Sequence, residues 1–258
     1  MNSALEIVKE FDEPCCAVIK HTNPCGVAIG DDLLDVYIRA REVDPLSAFG
    51  SIVAFNRKVN AKTASEIIKT FVEVVIAPGF EEQAVEILKT KQNLRIIDIG
   101  KIVRRQGQLD WKKVDGGLLL QEKDEKIVLR DEFKVVSDKK PTDYELRSLE
   151  FGWKIVKHVK SNAIVICKEK EAVGIGAGQM SRIDAVNLAI MKGGDKVKGS
   201  VLASDAFFPF RDSIDAAAKA GITAIIEPGG SIRDKEVIQA ANENNIVLIF
   251  TGIRCFKH

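Results

Sequence analysis

The 258-residue sequence is poor in several features that mark particular classes of protein. It has three histidines and two tryptophans, and no apolar run approaches the roughly 20 residues of a membrane-spanning helix. The first five residues, MNSAL, place no basic residue ahead of an apolar stretch, so no secretory signal is visible. Low-complexity segments are also absent. We therefore expect neither a membrane protein nor a secreted one.

An excess of charge of either sign is missing as well. The chain has 38 basic and 37 acidic side chains, a net charge of +1. This balance argues against nucleic acid or a membrane surface as the main partner. It leaves room for a local basic pocket that binds a phosphorylated small molecule.

The cysteines show no disulfide pattern. Their number is odd and their spacing is irregular, which predicts free thiols in a reducing cytoplasm. We expect each to be a small buried apolar residue. They are Cys15, Cys16, Cys25, Cys167 and Cys255.

Apolar runs alternate with helical patterns along the whole chain. Predicted strands cover 15–20, 27–29, 51–55, 72–77, 94–97, 163–167, 172–175, 200–203, 223–226 and 246–250. Predicted helices cover 33–42, 61–70, 81–89, 185–191, 213–220 and 235–242. The segments VVIAPGFEEQAVEIL and AIIEPGGSIRDKEVIQAA repeat one unit, an apolar strand followed by a Pro-Gly turn and a helix. This order predicts a layered α/β fold of two similar subdomains, 1–130 and 131–258, joined between about 124 and 144.

Three segments carry residues suited to chemistry at strand ends, where layered α/β folds bind ligands. In KHTNPCG, Lys20 and His21 place a cation beside an imidazole that can serve as an acid or a base. The alternative is a polar turn that only leaves the strand.

The second segment is GIGAGQMSR. It fails the dinucleotide fingerprint, because Gln179 stands where a third glycine is needed. A glycine turn before a helix can still offer N–H groups to an anion, with Arg182 making a forked contact. The alternative is a tight turn with a surface arginine.

The third segment is SDAFFPFRD. Phe207, Phe208 and Phe210 surround a proline and suit a wall for a flat heterocycle. The alternative is a core cluster, which the neighbouring charges of Asp205, Arg211 and Asp212 make less favourable.

A zinc-dependent deaminase is a competing class that the spacing disfavours. Such enzymes use H-x-E with P-C-x-x-C, whereas His21 precedes Thr22-Asn23 and Cys25 has Ala28 in place of a second cysteine. We therefore expect no zinc.

KHTNPCG, DPLSAFG, VVIAPGFEEQA, SNAIV, GIGAGQMSR, SDAFFPFRD and IRCFKH together resemble the AICAR transformylase domain of the bifunctional transformylase/IMP cyclohydrolase family. The resemblance runs nearly end to end and keeps the motif order. It implies a duplicated, zinc-free, cytidine-deaminase-like α/β fold and a homodimer with sites at the subunit interface. It also implies formyl transfer from 10-formyltetrahydrofolate to aminoimidazole carboxamide ribonucleotide (AICAR) in purine biosynthesis.

The resemblance assigns roles to individual residues. It makes three residues catalytic: Lys20, His21 and Asn162. It implies contacts with the ribonucleotide for Gly50, Glu73, Arg182, Phe207, Asp212 and Arg254. It implies a folate-side wall of Leu46, Phe49, Ile183, Pro209 and Phe210. Ser161 and Asp205 match positions near a structural monovalent cation.

Two departures from the family pattern set the alternatives. A cyclohydrolase domain and an upstream Arg-Tyr segment that contacts substrate are both absent from the sequence. An inactive fragment or binding module is therefore the alternative function. The sequence leaves the formyl donor open separately, with formyl phosphate as the alternative to the folate. Because the chain begins inside an apparent helix, we expect residues 1–10 to fray or to expose Leu5 and Val8.

Overall fold

The computed structural model describes residues 1–104, 106–126, 128 and 130–258. The strands β1 to β13 are Cys15–Lys20, Asn23–Ile29, Ser51–Phe55, Val72–Ala77, Arg95–Asp98, Leu109–Val114, Gly117–Glu122, Lys134–Val135, Ile164–Lys168, Glu171–Gly176, Val201–Ser204, Ala224–Glu227 and Val247–Phe250. The helices α1 to α9 are Asn2–Val8, Leu33–Arg41, Pro45–Ala48, Ala61–Ile67, Glu82–Lys89, Asp143–Val156, Arg182–Gly193, Asp212–Lys219 and Asp234–Glu243. Short 3₁₀ helices cover Arg130–Glu132 and Gly194–Val197.

Within these residues, eleven strands form one mixed sheet in the order β5-β4-β3-β1-β2-β10-β9-β11-β12-β13-β8. The second half of the chain repeats the strand order of the first: an antiparallel hairpin, then an antiparallel strand that leads into two parallel ones. The halves meet where β2 pairs with β10 at the middle of the sheet. The predicted α/β class is confirmed. The deaminase-like duplication and the subdomain boundary stay predictions, and residues 127 and 129 of the proposed join lie outside the described residues.

Helices cover both faces of the sheet because successive strand residues point to opposite sides. In β1, Ala17 and Ile19 join the apolar cluster that contains α1 and α6, whereas Cys16 and Val18 join the cluster beneath α2 and α4. The corresponding helices of the second half, α7 to α9, cover a third cluster. All five cysteines are free and buried, as predicted.

Helix α1 corrects one prediction. Val8 is fully buried, and Leu5 is partly buried against the same core cluster, so Val8 is not exposed, contrary to the prediction. Ala4, Ile7, Val8 and Phe11 recur at helical spacing and place one apolar stripe against the sheet. Tertiary packing of that stripe therefore holds the first turn in place, although Met1 makes no side-chain cap hydrogen bond.

Helix α6 is the largest element that the sequence analysis missed. Its start carries a capping box, in which Thr142 accepts from the Glu145 N–H and the Glu145 side chain accepts from Thr142. The T-x-x-E pattern was visible in the sequence. The pattern begins inside the charged segment that we assigned to the join.

Strands β6 and β7 form a separate two-stranded sheet with one apolar face. Trp111 pairs with Leu120 and Lys113 with Leu118, so alternate residues share a side. We use the term hairpin face for Leu109, Trp111, Leu118 and Leu120, which are between 45% and 68% exposed. An isolated two-stranded hairpin is marginally stable, and an apolar stripe on it calls for a covering surface.

Candidate functional site

Strand register brings the three chemistry-bearing segments to one edge of the sheet. Lys20 at the end of β1 pairs with Asn23, and Ile164 at the start of β9 pairs with both Gly176 and Ser204. We call residues 20–23, 160–162, 176–182 and 204–208 the motif edge. The N–H of Lys160 donates to Asn23 Oδ1 across 3.0 Å and links the two halves there.

The turn between β1 and β2 has an uncommon backbone. Its two central residues, His21 and Thr22, have φ of 46° and 69°. Two-residue hairpin turns with both central φ angles positive normally use Asn-Gly or a similar pair. A non-glycine residue in this region is held there by its surroundings at a cost of about 1–3 kcal/mol. His21 is exposed at the tip of this turn.

Lys20 is fixed by two carbonyl groups. Its Nζ donates to Phe49 O at 2.6 Å and to Gly50 O at 3.0 Å. Gly50 has φ of 68°, and its N–H donates to Phe71 O, which holds this loop in place. An ammonium group has three protons, so one donor of Lys20 is left for a ligand.

A buried polar network lies beside the turn. Arg182 is 6% exposed, and its Nη1 donates to Asp205 Oδ1 and Ala163 O. Its Nη2 donates to Asn162 Oδ1 across 2.8 Å. Ser161 Oγ donates to the second oxygen of Asp205. Arg182 is therefore a buried partner of Asn162 and Asp205, not a surface side chain.

The side chain of Asn162 is nearly saturated. Its Nδ2 donates to Gln179 O and Met180 O, at 2.8 and 3.1 Å. With Arg182 bound to Oδ1, the amide retains one lone pair on that oxygen. Asn162 can therefore accept one hydrogen bond from a ligand and has no free N–H to give.

The glycine turn does not form the anion cradle that the sequence suggested. The N–H of Gly178 donates to Lys160 O and that of Gln179 to Asn162 O, at 2.7 and 3.3 Å. These hydrogen bonds join residues 176–182 to residues 160–162 within the motif edge. Because both N–H groups already have protein acceptors, they are not directed at a ligand.

The aromatic segment divides its side chains between core and surface. Phe208 is fully buried, Phe207 is half-buried, and Phe210 is exposed. The guanidinium of Arg254 lies 4.7 Å from the centre of the Phe207 ring. Arg233 covers Phe210 at the same distance. The prediction of an aromatic wall therefore applies to Phe207 and Phe210, while Phe208 belongs to the core.

The other predicted site residues spread around this edge. Leu46 is exposed on helix α3, and Phe49, whose carbonyl binds Lys20, is exposed just after it. Ile183 and Pro209 are partly exposed in the second half. Two of the residues predicted to contact the ribonucleotide form hydrogen bonds with protein groups instead. Glu73 pairs with Arg95 at 3.0 Å, and Asp212 accepts from the N–H of Ser213.

Glu227 is a buried carboxyl that the sequence analysis passed over. It ends β12, and its Oε2 accepts from the Phe208 N–H at 2.6 Å. Burial raises its pKa to about 8, with the Phe208 N–H and Arg182 acting in the opposite direction. A glutamate closing the apolar run AIIE was the available signal.

Neither a metal-ligand cluster nor a membrane-spanning helix occurs in the described ranges. These ranges contain no group of three or more His, Cys, Asp or Glu side chains placed to hold a metal ion. They also contain no helix long and apolar enough to cross a membrane.

These features define an α/β protein with a candidate small-molecule site at one sheet edge, built from an exposed Lys-His turn, a buried Arg-Asp-Asn network and half-exposed aromatic rings. The model of the AICARFT/IMPCHase bienzyme family matches residues 1–192, and the chain belongs to that family. It is 56% identical over 257 residues to the bifunctional purine biosynthesis protein PurH of Caldicellulosiruptor saccharolyticus, covering 100% of this chain and 50% of the relative. The PurH of a Thermoanaerobacter species gives the same identity and coverage. The chain thus spans about half the length of these relatives.

Proposed function

We propose that this chain transfers a formyl group from 10-formyltetrahydrofolate to the 5-amino group of AICAR, in purine biosynthesis. The observation that carries the proposal is the convergence of Lys20, His21 and Asn162 on one edge of the sheet. Membership of the AICARFT/IMPCHase bienzyme family supports the same reaction. AICAR and the folate are its partners.

The reaction needs proton transfer at two nitrogens. The AICAR amine is a poor nucleophile because its lone pair is delocalised into the carboxamide-bearing ring. As the amine nitrogen bonds to the formyl carbon, its proton passes to His21, directly or through the substrate carboxamide. The bond from the formyl carbon to the folate nitrogen breaks, and that nitrogen takes a proton from Lys20. Exchange with solvent then restores both side chains.

The contacts of Lys20 suit this role. Two carbonyl oxygens fix its Nζ, so the remaining proton has a defined direction at the site. A fixed positive charge also stabilises negative charge that develops on the formyl oxygen.

Asn162 accepts a hydrogen bond from the substrate carboxamide and thereby orients it. Its remaining lone pair on Oδ1 suits an N–H of the substrate carboxamide. Arg182 donates to the same Oδ1 and thereby fixes the Asn162 amide in one orientation. Holding both substrates in register contributes on the order of several kcal/mol to catalysis, as much as acid-base chemistry does.

The remaining ligand contacts belong to the same proposal. We assign the ribonucleotide to Gly50, Glu73, Phe207, Asp212 and Arg254, and to Arg182 through Asn162. We assign the folate to a wall of Leu46, Phe49, Ile183, Pro209 and Phe210. The exposure of Leu46, Phe49 and Phe210 supports this wall, because large apolar side chains on a surface mark binding sites.

A structural monovalent cation at Ser161 and Asp205 does not fit the contacts. Asp205 accepts from Arg182 and the Ala163 N–H on one oxygen and from Ser161 on the other. The guanidinium already neutralises the carboxylate. We therefore assign no cation to the reaction.

We further propose a cytoplasmic homodimer. Free, buried cysteines support a reducing compartment. The exposed hairpin face supports a second copy as the covering surface. The division into subdomains 1–130 and 131–258, with a deaminase-like duplication, is supported by the repeated strand order.

Purified chain mixed with AICAR and either 10-formyltetrahydrofolate or formyl phosphate tests the function. We expect formylated ribonucleotide with the folate. Product formed only with formyl phosphate would show that formyl phosphate, and not the folate, is the formyl donor. Calorimetric binding of AICAR without turnover would support the binding-module alternative, and neither binding nor turnover would overturn the proposal.

A further inference from the structure

Glu227 ends β12, the strand next to β11, and contacts the aromatic segment through the backbone of Phe208. It is fully buried at the end of β12, next to the end of β11, where residues 205–208 begin. Its Oε2 accepts from the Phe208 N–H at 2.6 Å. A carboxyl group on a core strand therefore holds the backbone of the motif edge.

The hydrogen bond from the Phe208 N–H to Glu227 fixes the point at which the aromatic segment turns into the core. The side chain of Phe208 packs in the core, while the guanidinium of Arg254 lies over the ring of the preceding Phe207. The first part of the segment is held separately, because the Asp205 N–H donates to Ala163 O and its carbonyl accepts from the Cys255 N–H. Glu227 supplies the anchor for the second part.

The other oxygen of Glu227 has an unusual environment. Oε1 is buried and has no hydrogen-bond partner among the described residues. Burial, with a smaller contribution from the charge of Asp234, raises the pKa of the carboxyl to about 8 against the opposing effects of the Phe208 N–H and Arg182. The raised pKa favours the neutral form of the carboxyl, and in that form its carbonyl oxygen can still accept from the Phe208 N–H.

We propose that Glu227 is a positioning residue, which fixes the Phe208 backbone and thereby sets Phe207 and Arg254 for the ribonucleotide. The residue touches neither substrate and acts through the loop. The proposal rests on the proposed function for its choice of ligand. A glutamine has the same shape and also accepts through a carbonyl oxygen, so it should replace Glu227, whereas a leucine should not.

The test uses the full chain labelled with ¹⁵N-phenylalanine, with Phe208→Leu to assign the Phe208 amide signal. Glu227→Gln should keep amide exchange protection and the KM for AICAR within about threefold of wild type. Glu227→Leu should lose about tenfold or more in protection and raise KM about tenfold, with a smaller change in kcat. The Phe208 amide shift of wild type should titrate near pH 8, and that of Glu227→Gln should not.

Glu145→Ala is the matched control, because Glu145 is also a buried glutamate but caps helix α6. It should lower stability and leave the Phe208 amide and the KM unchanged. The proposal is overturned if Glu227→Leu keeps the wild-type KM, if Glu227→Gln behaves like Glu227→Leu, or if Glu145→Ala raises KM equally. If wild type neither turns over nor binds AICAR, the proposed function fails, while Phe208 exchange still decides whether Glu227 fixes the loop.

Discussion

Arg182 donates from Nη2 to Oδ1 of Asn162 across 2.8 Å, and its Nη1 holds Asp205. One guanidinium therefore fixes the amide proposed to orient the substrate and neutralises the carboxylate beneath it. The geometry needs the fork of an arginine, because two acceptors on different segments are bound by two nitrogens of one planar group. This relationship predicts coupled losses of stability and activity.

Arg182→Lys should keep the charge but lose the fork. Because a hydrogen bond to a charged group is worth about 1.5–3 kcal/mol, the free energy of unfolding should fall by about that amount. Formyl transfer should fall as well, since Asn162 is no longer fixed. Urea unfolding and turnover measure both. Arg147→Lys, at a partly exposed pair with Glu169, is the control and should change stability by less than about 0.5 kcal/mol. Unchanged turnover in Arg182→Lys would contradict the positioning role.

His21→Ala should remove the proton acceptor and leave the fold intact, because the side chain is exposed. Turnover should fall by about 10²- to 10⁴-fold, the usual contribution of one acid-base group. Asp31→Ala alters an exposed residue after β2, at the opposite edge of the sheet, and should retain activity. Near-full activity of the equivalent histidine variant in a full-length relative would show that the role is misassigned.

Thr22→Gly should stabilise the protein. A β-branched residue with φ of 69° is strained, and glycine adopts this region without steric cost. We expect a gain of about 1 kcal/mol in the free energy of unfolding, measured by thermal or urea denaturation. Thr22→Ala, which keeps a Cβ atom at the same φ, is the comparison. A loss of stability in Thr22→Gly would mean that the threonine side chain contributes more than its strain costs.

Much of the sheet could be predicted from the sequence because its strands are continuous apolar runs. Five predicted strands or helices share one end with the observed element, and β1, β3 and β4 match at both ends. The hairpin β6–β7 was missed because five of its twelve strand residues are charged or polar and its exposed leucines form no core pattern. The strand order could not be read at all, since pairing between β2 and β10 joins segments that are distant in sequence.

The candidate site was predictable in its parts but not in its connections. The motifs KHTN, SNA and SDAFF named the segments that meet at the motif edge. Nothing in the sequence indicated that Arg182 turns inward, because a helix-start arginine is equally suited to a phosphate and to a buried carboxylate. The choice depends on Asp205, which lies 23 residues further along the chain. Glu227 was hidden for the same reason, since its acceptor role depends on the course of another loop.

Acid should destabilise the protein through Glu10. Burial opposes its ionisation, but the hydrogen bonds and charges of His158 and Lys157 outweigh burial and lower its pKa to about 2. A carboxyl with a lowered folded-state pKa stabilises the fold above its unfolded pKa of 4.5, and this stabilisation is lost as the pH falls towards 2. The loss should approach about 3 kcal/mol. Urea unfolding between pH 5 and about 2 measures it.

Glu10→Gln should flatten that pH dependence, because the amide does not titrate. Glu86→Gln is the matched control, since Glu86 is an exposed carboxylate paired with Lys89. It should leave the pH profile as in wild type. An equally steep profile in Glu10→Gln would assign acid sensitivity to other carboxylates.

The hairpin face should set the oligomeric state. Leu120 and Gln121 are neighbours on β7 whose side chains point to opposite sides of the hairpin, and only Leu120 belongs to the apolar face. Burying a leucine is worth about 1.5–3 kcal/mol, and a two-fold interface contains each residue twice. Leu120→Lys should therefore raise the dimer dissociation constant by at least about 100-fold, as measured by sedimentation equilibrium. Gln121→Lys adds the same charge one residue away and should leave the dimer intact. A wild-type monomer, or equal weakening by both variants, would show that the hairpin face is not where two copies meet.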